Sequence, residues 1–182
     1  EIGAALMRTT WIDDIRTWGA PWPKDDGISL LQDLLDPLLK SGARLGVMKG
    51  HETSLRMPLG DYERLMSGLA GIEVVDATDI LRNLRMVKSA AEIEKIAYIC
   101  GITSRTFARA GDIFHKGQSL AEAFRAFRIE CLTQGADDVP YLAGGADQGG
   151  YCDIISPPSN RSLESGDILM FDTGATFDGY FC

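Results

Sequence analysis

Two short strings constrain this chain more than anything else in it. Ser89-Ala-Ala-Glu92 and Ser119-Leu-Ala-Glu122 each place a Ser three residues ahead of a Glu, at the head of an apolar periodic run. In such a capping box the Ser oxygen accepts from the third helical amide and the Glu carboxylate accepts from the Ser amide. Two donors that a helix start would leave bare are thereby satisfied. The first box predicts a helix with Ile93, Ile96, Ala97, Cys100, Phe107, Ala110 and Phe114 on one stripe, ending near His115-Lys116-Gly117. There basic side chains meet the negative end of the helix dipole and Gly terminates the turn. The second box predicts a helix that buries Leu120, Phe124, Phe127 and Cys131 and ends at Gly135. Short strands and glycine-rich loops come next, Gly144 to Gly150 among them. Ile168 to Phe171 is an apolar run of strand composition, and Asp178-Gly179 supplies the positive-φ pair of a two-residue hairpin turn, with a second strand from Tyr180.

The first 84 residues alternate differently. Trp11 and Trp18 fit one helical face or one strand, or the lining of a substrate entrance, and Pro21-Trp-Pro23 is a break in regular structure. From Gly27, the spacing of Ile28, Leu31, Leu34, Leu35, Leu38 and Leu39 is helical, with Pro37 marking a kink or a break. Ala43 to Met48 reads as a buried strand, Tyr62 to Leu69 as a helix, Ile72 to Val75 as a strand, and Thr78 to Leu84 as a bridge. Strand and helix in alternation give an α/β domain with helices covering a sheet. The whole chain is thus α/β (α+β).

A net charge of −8 and a pI near 4.7 argue against nucleic acid or an anionic membrane as the main partner. No run of eighteen apolar residues predicts a transmembrane helix. Cys100, Cys131, Cys152 and Cys182 form no C-x-x-C pair, so neither a zinc knuckle nor a redox motif is indicated. Cys100 and Cys131 are expected as reduced thiols on buried helix faces, and a cytoplasmic location is expected. His51-Glu52 opens like a zincin helix motif, but Leu55 stands where the second His belongs. His115 reads as a dipole partner. The Gly144–Gly150 segment lacks both the Lys-Ser/Thr of a phosphate loop and the G-x-G-x-x-G spacing, which disfavours nucleotides. Asp153 is a turn residue or a pocket residue. Asp172 interrupts an apolar run, and a carboxylate flanked by Leu169, Met170 and Phe171 is expected to be shielded from water, so that it needs turn amides, a cation, a dense set of donors or a metal.

The string from Arg161 through Leu163, Gly166-Asp167, Asp172-Thr-Gly174 and Gly179-Tyr180 resembles the metal-binding hairpin of the methionine-aminopeptidase, prolidase and creatinase superfamily, whose fold is called pita-bread. Its pattern runs R-x-L-x-x-G-D, apolar residues, D-x-G, then G-Y. Arg85-Met-Val-Lys88-Ser89-Ala-Ala-Glu92-Ile93 is similar to the segment that leads into the catalytic domain of the Xaa-Pro peptidase and creatinase branch. The resemblance implies that residues 1–84 are the later part of the amino-terminal domain and that residues 85–182 are the first half of the catalytic domain. On this reading the sequence is part of a longer protein and is inactive by itself. Asp172 would be a bidentate metal ligand, with the second Asp ligand one position beyond Cys182 and a His and two Glu further on.

The implied protein is a hydrolase of an amide or related C–N bond that uses two divalent ions (Mn, Co, Zn or Fe). It takes a small-molecule or short-peptide substrate and forms a homodimer. Family peptidases usually carry a His six residues before the Arg of R-x-L-x-x-G-D, and Ile155 holds that position here. That departure admits an alternative, a creatinase-like or ectoine-hydrolase-like enzyme acting on a small metabolite. A metal-free binding module on the same shell is a further alternative.

Overall fold

Parallel strands need a crossover between them, and the first half of the chain has one. In the computed structural model, which describes residues 3, 7–19, 21–151 and 158–182, β1 (Arg44–Val47) pairs in parallel with β2 (Glu73–Asp76), Leu45 opposite Val74. The crossover is α2 (Leu59–Gly68), which packs on α1 (Ile28–Leu35) around Ile28, Leu65 and Leu69. α1 stops at Asp36, so Pro37 ends the helix and does not kink it. Its first amides are covered by Asp25, whose Oδ1 accepts from Ile28 at 2.9 Å and Ser29 at 3.1 Å.

Two expectations fail in this half, and a third is made more definite. β1 alternates between exposed and half-buried residues and is not buried, because Leu45 turns to the small core while Arg44 faces outward. The bridge from Thr78 is a full helix, α3 (Thr78–Met86), anchored by Thr78, whose hydroxyl accepts from the Gly50 amide. Trp11 and Trp18 lie on neither helix nor strand, and both are exposed. Trp18 gives its indole N–H to Asp26 at 2.9 Å and covers Gly27, where a β-carbon would strike its ring.

The chain divides into two compact units, residues 1–87 and 88–182. In the second unit both capping boxes form as the sequence predicts. Ser89 opens α4 (Ala90–Ala108) and Ser119 opens α6 (Leu120–Thr133), each with the reciprocal Ser and Glu bonds in place. The first helix does not run on to His115. It breaks at Arg109, and a short α5 (Ala110–Ile113) stands between the two capped helices. Arg109 is held there by Glu130 of α6 at 2.7 Å.

α6 buries Leu120, Phe124, Phe127 and Cys131, as expected. α4 is turned away from the expected stripe. Ile93, Ala97, Cys100 and Phe107 are exposed, while Ile99, Ile102, Thr103 and Thr106 face inward. The threonines can be buried because their hydroxyls bond back to the carbonyls of Ile99 and Ile102. Cys100 is therefore not the buried thiol that the sequence suggests.

Both helices lie under one antiparallel sheet of β3 (Asp138–Gln148), β4 (Asp167–Phe177) and β5 (Tyr180–Phe181). The glycine-rich stretch expected as a loop is mostly strand. Gly144 and Gly145 sit inside β3, and only Gly149 and Gly150 take positive φ beyond its end. Gly144 permits a close approach: a β-carbon there would strike the Met170 carbonyl of β4 and press on the Phe124 ring. The β4–β5 turn is Asp178-Gly179, with φ of 48° and 79°, the all-positive pair of a tight hairpin.

Candidate functional site

A strand shows alternate residues to opposite faces, and β4 divides its side chains accordingly. Leu169, Phe171, Ala175 and Phe177 turn toward the helices and join the core. Phe171 lies within 5.2 Å, centroid to centroid, of Phe114, Phe124 and Phe127. Asp172, Gly174 and Thr176 belong to the other face, opposite the one on which α4 and α6 pack. Asp172 is consequently exposed. The expectation that its apolar neighbours would desolvate it does not hold: Phe171 and Thr173 point away from it, through the sheet.

Asp172 has one side-chain partner among the described residues. The hydroxyl of Tyr141, on β3 opposite Gly174, donates to Oδ2 at 3.1 Å. The bond to the carboxylate pushes the Tyr141 phenol above its ordinary pKa, so the hydroxyl stays a donor at neutral pH. Phe181 comes to the same face from β5, opposite Thr176, and its ring lies over Gly174. Tyr141 and Phe181 escape a reading of the sequence because an aromatic residue in a strand predicts only strand. The pairing register alone brings them beside Asp172.

The remaining motif residues build the frame. Arg161 and Asp167, the ends of R-x-L-x-x-G-D, bind each other through two nitrogens at 2.7 and 2.8 Å. Asp167 also accepts from the Glu164 amide and from Gln148, both at 2.8 Å. Its side chain is only 4% exposed. The Arg161 guanidinium, with these donors, holds the Asp167 carboxyl far below the usual range. Leu163 between them is buried in the core. At the other end, Tyr180 donates to Oε1 of Glu92 at 3.1 Å, so the capping box of α4 also clasps the hairpin. Lys95 pairs with Asp178 of the turn and lies 5.2 Å from the centre of the Tyr180 ring. The segments singled out separately in the sequence, around Glu92 and around Tyr180, thus meet in space.

His51 and His115 are exposed. Cys152, Asp153 and Ile155 lie outside the described residues. Asp172 offers a hard oxygen donor of the kind divalent ions take. Among the described residues, however, no three of His, Cys, Asp and Glu come together. They supply one donor and do not make a metal centre by themselves. Among them too, no helix is long and apolar enough to cross a membrane.

No family model matches the chain. The probable dipeptidase PepE of Mycobacterium tuberculosis is 31% identical over 107 residues, which is 59% of this chain and 28% of that protein. The crystal structure of dipeptidase PepE from Mycobacterium ulcerans superposes with a TM-score of 0.69 at 28% identity, over 92% of this chain and 42% of that one. A recombinant prolidase from Thermococcus sibiricus shares the fold, with a TM-score of 0.75 at 19% identity over 98% of this chain and 47% of that one. The chain therefore spans less than half the length of each of these proteins. In sequence the chain is thus similar to a dipeptidase, and it shares the pita-bread fold of the dipeptidase and the prolidase.

Proposed function

We propose that this chain contributes to a metal-dependent hydrolase that cleaves a short peptide. The observation that carries the reading is Asp172: a solvent-facing carboxylate on the face of the sheet opposite α4 and α6, in the D-x-G string, with a phenol bound to one oxygen. Divalent ions, when bound, would supply an acidified water and polarise the scissile carbonyl. The described residues of this chain do the rest of what can be assigned to it. Asp172 is one ligand, and the other ligands belong to further residues of the whole protein. Tyr141 orients the Asp172 carboxylate, as the outer-shell partner of a metal ligand does. The Arg161–Asp167 pair and the Glu92–Tyr180 bond fix the two ends of the β4–β5 hairpin on which Asp172 stands. The dipeptidases and prolidases that the chain resembles make a dipeptide or another short peptide the substrate class to assay first. The assembly we expect is a homodimer, to be read from light scattering.

The test is titration of the whole protein carrying this chain with Mn²⁺ or Co²⁺ by calorimetry, beside hydrolysis of Xaa-Pro dipeptides. Wild type should bind the ions tightly and turn over peptides. Asp172→Ala should lose affinity by more than the ~10–100-fold typical of outer-shell changes, and lose turnover with it. Retention of both in Asp172→Ala would end the assignment.

A second reading is favoured by one residue of the sequence. Ile155 stands where peptidases of this superfamily usually carry His. Loss of acid–base help from one group costs about 10²–10⁴ in rate. Fast turnover of creatine or ectoine with slow turnover of every proline peptide would move the assignment to a small-metabolite C–N hydrolase.

A further inference from the structure

Phe181 is an apolar side chain of the hairpin that the core does not take. Its neighbours Leu169, Phe171, Ala175 and Phe177 are all on the helix side. Phe181 is on the other, opposite Thr176, and is 52% exposed. The contact that holds it is an absence: Gly174 has no side chain, and a β-carbon there would strike the ring. The ring therefore lies against bare backbone two residues along β4 from Asp172, with its outer surface open. Tyr141, opposite Gly174, is 42% exposed and fixed by its hydroxyl on Asp172. An apolar surface with a few convergent polar groups is what a small-ligand site offers. Aromatic side chains give large, rigid contact area to apolar groups.

We propose that Phe181 is a specificity-determining residue: its ring is the apolar wall that seats an apolar side chain of the substrate beside Asp172, and it selects aliphatic and aromatic side chains over small or charged ones. This rests on the reading that Asp172 belongs to a peptide-hydrolysing site. A charged side chain would lose its hydration against the ring and gain no partner there. Seating one aliphatic or aromatic side chain on this half-exposed ring contributes discrimination of about tenfold.

The test is steady-state kinetics of the whole Mn²⁺-loaded protein on Gly-Pro, Glu-Pro, Leu-Pro and Phe-Pro, with Phe181→Ala, Phe181→Leu and Asp172→Ala beside wild type. Wild type should show its lowest KM with Leu-Pro and Phe-Pro. Phe181→Ala should raise KM for those two about tenfold, leave Gly-Pro within about twofold, and leave kcat unchanged. Phe181→Leu should restore part of the preference, and it carries the test alone if Phe181→Ala does not fold. Unchanged KM ratios in the folded variants, with a lowered melting temperature, would overturn the wall and make Phe181 a packing residue. In that event, turnover abolished by Asp172→Ala still leaves the hydrolytic reading standing. A wild-type protein that cleaves none of the four peptides overturns both.

Discussion

Asp167 is tied more tightly than any other carboxylate described in this chain, and its pairing sets a pH dependence. Arg161 grips it with two nitrogens, Gln148 and the Glu164 amide add donors, and the side chain is nearly closed to water. A carboxyl whose folded pKa lies below its unfolded value stabilises the fold above the unfolded pKa, near 3.9 for Asp, and loses that contribution as pH falls through the folded value. The Asp167 contribution should thus be complete at neutral pH, begin to shrink below about pH 4, and persist in part into strong acid. Asp167→Asn should lower the melting temperature at pH 7 and narrow the gap to wild type as pH falls toward 2. A gap of constant size across that range would show that the carboxylate charge is not what the pair contributes. Neither residue is legible as the other's partner in the sequence. The motif names both, but only the turn at Gly166, with φ of 96°, folds the string back so that they meet.

At the scale of elements, the two capping boxes look alike in sequence and differ in what they carry. Among the described residues Glu122 bonds within the Ser119 box alone, whereas Glu92 also accepts from Tyr180, 88 positions away in the chain. Ser119→Ala should cost about 1 kcal/mol in denaturant unfolding, the usual loss for a cap. Glu92→Ala should cost more than Glu122→Ala. Combined with Tyr180→Phe, it should lose less than the two separate losses added, because each single change already breaks the shared bond. Strict additivity would mean that the hairpin and the helix start are independent.

The boxes are legible because a cap is a local device, written within four residues. The hairpin turn is legible for the same reason, since Asp178-Gly179 specifies its own φ angles. The buried face of α4 is not. Ile93, Ile96, Cys100 and Phe107 compete with Ile99 and Ile102 for it, and the choice falls to the threonines between them, which count as polar until their hydroxyls bond back to the helix. The surroundings of Asp172 are hidden for a related reason. Its neighbours in sequence are not its neighbours in space, because a strand sends successive side chains to opposite faces.

Across the whole molecule the two units differ in how much core they have, and that difference predicts how they open. Among the described residues, the cluster of unit 88–182 holds Ile99, Ile102, Phe124, Phe127, Cys131 and others fully buried, with three more aromatic rings packed on it. Among the same residues, the cluster of unit 1–87 closes around Ile28, Leu65 and Leu69, with the other apolar side chains packed on it only partly buried, and its sheet has two strands of four residues. Fully burying one large apolar side chain stabilises by about 1.5–3 kcal/mol, so the second unit has the larger hydrophobic stabilisation. Phe127→Ala, which empties the centre of the larger core, should cost about 3–5 kcal/mol. Local opening tracks buried apolar contact. In native-state hydrogen exchange, amides of α6 from Phe124 to Cys131 and of β3 from Leu142 to Ala146 should be the slowest in the chain. Those of α1 and α2 should exchange earlier and at lower denaturant. Phe127→Ala should speed the first group and leave the second as it was. Equal protection of α2 and α6, or a Phe127→Ala effect spread evenly over both units, would show that the small core is not the weaker one and that the chain opens as a single cooperative body.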